Sequence, residues 1–315
     1  MMAEILSVSF LAGLLAATLR MATPIVLAML GEIITERAGV LNLGIEGTML
    51  FGAMTGFLVT MSTGSAWLGV LAAAGVGMLL ALLMAFLVVF LGLSQHVSGL
   101  GITLFATGLS MFVYRLHFGS PTVPPTVTPM TKVAIPLLSR IPIIGPGLFN
   151  QYVLTYAAMI LIPAVWVLMY RTRIGLTVRT VGENPMAADT VGGNVNLVRT
   201  LALVAGGALM GIGGSFLTLA HQNMFLRDVI GGRGWVAVAM VIFGNWNPGR
   251  GTIGALMFGL LDGLQLRLQG WGLPIPFDVF LMVPYVLTIF ALVSVSRRAA
   301  APAALLKPYR REVRG

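Results

Sequence analysis

Long apolar runs alternate with short polar joints along nearly the whole chain. The runs are approximately 5–31, 42–62, 66–92, 97–116, 152–170, 200–222, 232–245, 251–268 and 276–296. Allowing for tilt and breaks, each suits a helix crossing roughly 30 Å of hydrocarbon at about 1.5 Å per residue. The run 232–245 is short, which fits a re-entrant or broken segment. The pattern predicts an all-α fold: a polytopic integral membrane helical bundle of about nine transmembrane spans, within a range of eight to ten, with 1–315 as one transmembrane domain.

Composition narrows this to one class. The chain is 57% hydrophobic and only 9% charged, with a mean hydropathy of +0.95. A soluble domain carries roughly 25% charged residues, and a water-exposed surface could not be covered with so few. The 39 glycines fit close helix packing, as do the pairs Gly52/Gly56, Gly207/Gly211 and Gly259/Gly263. The absence of cysteine excludes disulfides and thiolate metal sites. The first run lacks a basic leader and continues into further spans, so no cleavable signal peptide is expected.

A net charge of +9 does not point to nucleic acid here, because the basic residues stand at the ends of apolar runs. Placing the tail 297–315 in the cytoplasm puts Arg297, Arg298, Lys307, Arg310, Arg311 and Arg314 inside. Counting back adds Arg171, Arg173, Arg179, Arg199, Arg37 and Arg250 to that side. The other side holds Arg115, Lys132, Arg140, Arg227, Arg233 and Arg267. The excess favours a cytoplasmic C-terminus, and the span count then puts the N-terminus outside. The chain is expected in the bacterial cytoplasmic (inner) membrane.

Three polar intervals interrupt the pattern. The external loop 117–151 carries PTVPPTVTP and IPIIGP, whose prolines oppose a regular helix. It reads either as a rigid linker or as a docking surface for an external partner. The segment 31–47, GEIITERAGVLNLGIEG, places Glu32, Glu36 and Arg37 where water can reach them. The cytoplasmic segment 171–199 is the most polar of all. Within it Asn184-Pro185 reads as an N-cap followed by proline at the first helical position. A short, slim helix through Met186, Ala187 and Ala188 should stop near Gly192-Gly193. It reads either as an ordinary amphipathic loop helix or as a helix for insertion into another protein's groove.

Candidate chemistry is sparse. The chain has no GxxxxGK[ST] phosphate loop, and its only lysines, Lys132 and Lys307, do not follow glycine. HExxH, GxSxG and Cys/His clusters are also missing, so no catalytic residue or metal site is assigned. His96, His117 and His221 fall at helix ends and read as interfacial. Glu46 heads an apolar run, either as a charge favoured by a helix N-terminus or as a residue facing a polar path. Asp262 lies inside a span with Gln265 nearby. Its pairing with Arg267 at i+5 is poorly placed, so a partner elsewhere is expected. Thr103 and Thr107 share a helix face, with hydroxyls free to bond back to the helix or to meet a ligand. Phe51, Phe105 and Trp235 complete the candidate pathway set, and Trp235 and Trp246 read as interface anchors.

Three blocks carry a resemblance: ERAGVLNLGIEGTMLFGA, SGLGITLFATGLS and VGENPMAADTVGGNV, in this order and spacing. With GRGWVAVAMVIFGNWNP and LDGLQLRLQ, they resemble the permease subunits of bacterial ABC importers for nucleosides and simple sugars of the ribose type. The nearest group works with basic-membrane-lipoprotein (BMP) nucleoside-binding proteins. The resemblance implies a type II-like importer permease that carries a nucleoside, a simple sugar or a related small polar solute by alternating access. It implies that Glu183, Asn184, Pro185, Ala187 and Ala188 form a coupling helix. The implied partners are an ATP-binding subunit holding ATP and Mg, a second permease (a different chain or a second copy) and an external solute-binding protein. The rival reading is an ion-gradient-driven secondary transporter using Glu46 or Asp262.

Overall fold

The computed structural model describes residues 8–269, 277–296 and 300–310. Arg297, Arg298, Arg311 and Arg314, counted above for orientation, lie outside the described residues, as does the start of the first run.

The described chain is a helical bundle. Helices α1 (Val8–Arg37), α2 (Ile45–Thr63), α3 (Ala66–Ala85) and α4 (Gln95–Phe118) form its first half. A short helix α5 (Ile144–Leu148) precedes α6 (Val153–Arg171), α7 (Arg173–Glu183) and α8 (Pro185–Thr190). Then come α9 (Val195–Phe216), α10 (Arg233–Phe243), α11 (Pro248–Gln269) and α12 (Phe277–Ser296). Single π-helical turns extend α3 through Phe86–Phe90 and α9 through Leu217–His221.

Among the described residues six helices are long and apolar enough to cross a membrane: Val8–Arg37, Ile45–Thr63, Ala66–Phe90, Gln95–Phe118, Val153–Arg171 and Val195–His221. α10 has 11 residues, which at about 1.5 Å per residue reaches only half-way across a bilayer. The short run 232–245 is thus a half-length helix. The loop 117–151 holds a two-stranded antiparallel sheet, β1 (Lys132–Ala134) with β2 (Asn150–Tyr152), besides α5.

Glycine sets the core spacing. α9 packs on α1, α2 and α3, and a Cβ on Gly52 would stand 2.6 Å from the Gly211 carbonyl oxygen. A Cβ on Gly214 would collide with the Met49 carbonyl, and one on Gly259 would lie 2.5 Å from the Thr18 carbonyl. The small-residue pairs read from the sequence therefore lie at true backbone-to-backbone crossings, where dispersion and packing replace the missing hydrophobic drive in lipid.

The first helix runs six residues past its expected end at residue 31, because its last turns are not aqueous. Glu32 and Glu36 are 0% and 1% exposed. The expectation of water around them fails for a physical reason: each carboxylate finds fixed donors inside the bundle. Glu32 accepts from the Asn42 backbone N–H at 2.8 Å and from Thr35 Oγ1 at 3.0 Å. Glu36 accepts from Trp246 Nε1 at 2.6 Å. Trp246, expected as an interface anchor, is accordingly buried.

Candidate functional site

Two regions collect the polar side chains. The first is a centre where two helices begin. α2 opens at Ile45, and Glu46 in its first turn reaches across to the head of α10. Its carboxylate accepts from the backbone N–H of Gly232 at 2.8 Å and of Gly234 at 2.7 Å. One acid thus serves the N-terminal ends of two helices, where both dipoles favour negative charge. That explains how a carboxylate is tolerated at the head of an apolar run. The GGRG run makes the approach possible. Gly231 and Gly232 hold φ of 58° and 79°, and a Cβ on Gly234 would lie 2.6 Å from Glu46 Oε2.

Arg233, between those glycines, donates from Nη2 to Asp262 Oδ2 at 3.0 Å and from Nη1 to the Ile230 carbonyl at 3.0 Å. Asp262 therefore has its partner on another helix, Arg233 of α10 rather than Arg267 of its own. Gln265 Nε2 donates to Asp262 Oδ1 at 3.2 Å, and Tyr285 of α12 donates to the Gly231 carbonyl at 2.6 Å. Arg267 turns away: its Nη1 donates to the Phe10 carbonyl at 3.0 Å. His221, at the end of the π turn of α9, lies within electrostatic reach of Arg233, Arg20 and Asp262. Two buried polar atoms of this centre, Arg233 Nε and Gln265 Oε1, make no hydrogen bond among the described residues.

The candidate pathway residues separate into groups. Glu46, Asp262 and Gln265 meet in this centre, and Trp235, 39% exposed, follows Gly234 directly. Thr103 lies on α4 and donates across to the Leu43 carbonyl at 3.0 Å rather than back into its own helix. Thr107 is half-buried on the same helix. Phe51 packs between the two larger core clusters. Phe105 is 54% exposed, on the face of α4 where Gly101 and Gly108 meet nothing within 4 Å. The structure does not bring it to the polar centre. Sequence reasoning missed Arg233 and Tyr285. Arg233 was counted only as a loop charge, although its place inside GGRG at the head of a span was the available signal.

The second region is the end of the bundle carrying α7 and α8. The Asn184 side chain caps α8 by accepting from the Ala187 N–H at 3.0 Å, with Pro185 at the first helical position. The chain turns at Gly192, φ 86°, and the Gly193 N–H donates to the Ala188 carbonyl at 2.9 Å. The expected short helix is present with both of its terminators. Glu183, Asn184, Met186 and Ala187 are exposed and Pro185 is half-buried. Ala188 is 3% exposed and packs with Val181 and Val195, so it faces inward and cannot meet a partner directly. Arg199 corrects the picture of 171–199 as a wholly aqueous island. It is 1% exposed, with Nε donating to the Ala38 carbonyl at 3.3 Å and Nη1 to the Lys307 carbonyl at 3.2 Å.

A glycine-welded bundle of membrane-length helices, with a polar centre at two helix heads and a short capped helix at one end, defines a multi-pass membrane protein. The family described as branched-chain amino acid transport system / permease component matches residues 14–292, and the chain belongs to it. It is 42% identical to the provisionally named glucose ABC transporter permease protein TsgC13 of Haloferax volcanii, over 97% of this chain and 99% of that one. It is 36% identical to the guanosine ABC transporter permease protein NupQ of Bacillus subtilis, over 96% and 98%. It is 34% identical to the nucleoside ABC transporter permease protein NupC of Lactococcus lactis, over 90% and 92%. No solved structure matches the chain. The chain is the translocation subunit of an ABC importer.

Proposed function

We propose that this subunit imports a solute built on a sugar ring, a nucleoside or a free hexose, with ATP hydrolysed by a separate subunit. The names of its near full-length relatives, glucose, guanosine and nucleoside permeases, share that chemistry. The observation that carries the division of labour is α8: a short, doubly terminated helix with Met186 and Ala187 exposed, on a chain without a phosphate loop. The ATP-binding subunit, holding ATP and Mg, grips α8 from the cytoplasm. A second permease completes the path and an external binding protein delivers the solute. Nine spans with the N-terminus outside fit this arrangement, in the bacterial inner membrane, with α10 as a half-span.

In this reading the polar centre is a hinge block more than a solute ligand. Glu46 is occupied by two backbone donors and Asp262 by Arg233 and Gln265, so both acids position helices. Arg233 Nε and Gln265 Oε1 have hydrogen-bonding capacity to offer a passing hydroxyl. The deciding experiment is uptake of radiolabelled guanosine and glucose into proteoliposomes containing the permease pair and its ATP-binding subunit, with the external binding protein supplied. ATP-dependent accumulation of either one supports the reading. Accumulation driven by a proton or sodium gradient with no ATP-binding subunit would sink it.

A further inference from the structure

The C-terminal tail is not a loose end. Residues 300–310 run as a strap across the end of the bundle that carries α8, touching four separate segments. The Ala300 N–H donates to Asn245 Oδ1 at 2.9 Å, in the turn between α10 and α11. The Ala303 N–H donates to Glu183 Oε2 at 3.2 Å, and the Ala304 N–H to the Gly182 carbonyl at 2.9 Å, where α7 ends and α8 is about to begin. Tyr309 packs against the cluster of Val181, Ala188 and Val195 that seats α8. Ala304 is 4% exposed, as buried as a core residue.

The fourth contact carries the consequence. Arg199 lies under the strap, and among the described residues its guanidinium donates to main-chain carbonyls. One belongs to Lys307 in the strap and the other to Ala38 at the end of α1. A buried guanidinium needs such acceptors, so removing one strands the charge. Beside it Gly39, φ 88°, faces both the Arg199 guanidinium and the Ala304 carbonyl. From Gly39 the chain is held at every step to α2. Leu41 N–H donates to Gln95, Asn42 N–H to Glu32 and Gly44 N–H to the Asn42 side chain. α2 then begins, and Glu46 grips α10.

We propose that residues 300–310 are a working part of the coupling apparatus, tying α8 through Arg199 to the α1–α2 loop, so that a displacement of α8 reaches the Glu46 hinge. This rests on the reading of α8 as the helix gripped by the ATP-binding subunit. The strap itself supplies transmission. Without it α8 keeps its Asn184 cap and its glycine terminator, so it can still be gripped, but its movement reaches the α1–α2 loop only through the direct approach of Gly182 to the Arg37 and Gly39 backbone, without the Arg199 tie.

The test uses the whole importer in proteoliposomes, with guanosine and glucose as probes. One variant ends after Ala299. A second, Asn245→Ala with Tyr309→Ala, removes one hydrogen bond of the strap and its packing on the cluster of Val181, Ala188 and Val195; it decides the matter if the shortened chain fails to reach the membrane. Both should co-purify the ATP-binding subunit as the parent does and still hydrolyse ATP, while solute moved per ATP falls about tenfold, a typical size for an energetic coupling. Transport per ATP within about twofold of the parent overturns the proposal. So does loss of the ATP-binding subunit, which would make the strap part of the grip. Ala187→Trp runs alongside: if that variant still binds the subunit and transports, the reading of α8 fails, and the strap measurement shows separately whether the tail matters.

Discussion

The Trp246 indole N–H reaches Glu36 Oε2 at 2.6 Å, joining residues 210 positions apart in the chain. It pins the turn between α10 and α11 to the last turn of α1, where Arg37 also donates to the Trp246 carbonyl at 3.4 Å. Trp246→Phe keeps an aromatic side chain but loses the pyrrole part of the indole with its donor, which strands a buried carboxylate oxygen. The substitution should cost about 2 kcal/mol. Unfolding in mixed micelles measures this, and a stability equal to the parent's would mean that the bond contributes nothing.

Arg233 and Asp262 form a mostly buried pair, with side chains 16% and 10% exposed. Asp262→Ala alone leaves the guanidinium without its counter-charge, a loss of about 3–5 kcal/mol for a buried pair. Arg233→Ala with Asp262→Ala should be less damaging than the sum of the single changes, because the residues touch. Strict additivity in a double-mutant cycle would show that the contact carries no energy.

At Glu46 the number of acceptor oxygens is the variable. Glu46→Gln keeps one oxygen for one of the two glycine N–H groups and retains partial uptake. Glu46→Ala leaves both without an acceptor and should abolish uptake while the protein still inserts. Equal uptake by the two variants would show that the helix-head clamp is not needed for transport.

Two neighbouring alanines in α8 should behave differently. Ala187 is exposed, so Ala187→Trp should block binding of the ATP-binding subunit while leaving yield and monodispersity normal. Ala188 is buried against Val181 and Val195, so Ala188→Glu should lower the yield of folded protein first. A normal yield for Ala188→Glu would contradict the inward packing.

Glycine substitutions give a control on the core. Gly214→Ala drives a methyl into the Met49 backbone and should destabilise by about 1–3 kcal/mol. Gly75 and Gly108 meet nothing within 4 Å, so alanine there should be neutral or slightly stabilising through helix propensity. Size-exclusion profiles after graded heating separate the two outcomes.

Much of this protein was legible one-dimensionally. Among the described residues six of the nine apolar runs fall on helices long and apolar enough to cross a membrane, because a bilayer demands a minimum apolar length and a satisfied backbone, both of which are local properties. Asn184, Pro185 and Gly192 mark α8 because capping is settled within a few residues. The glycine pairs announced close crossings for the same reason, although not which helices cross. Glu32, Glu36 and Arg199 read as solvent-facing, and Trp246 as an interface anchor, because each stands in or beside a polar stretch of the chain. Their partners Asn42, Trp246 and the Ala38 and Lys307 carbonyls come from elsewhere in the fold. Burial of a charge depends on finding a donor or acceptor in three dimensions, and no window of sequence contains that information. The sequence by itself determined a membrane bundle with one short capped helix in its most polar joint. Only the tertiary structure decided that Glu46 clamps a second helix head, that Arg233 answers Asp262, and that the tail is strapped to α8, since each joins segments that meet only when the bundle closes.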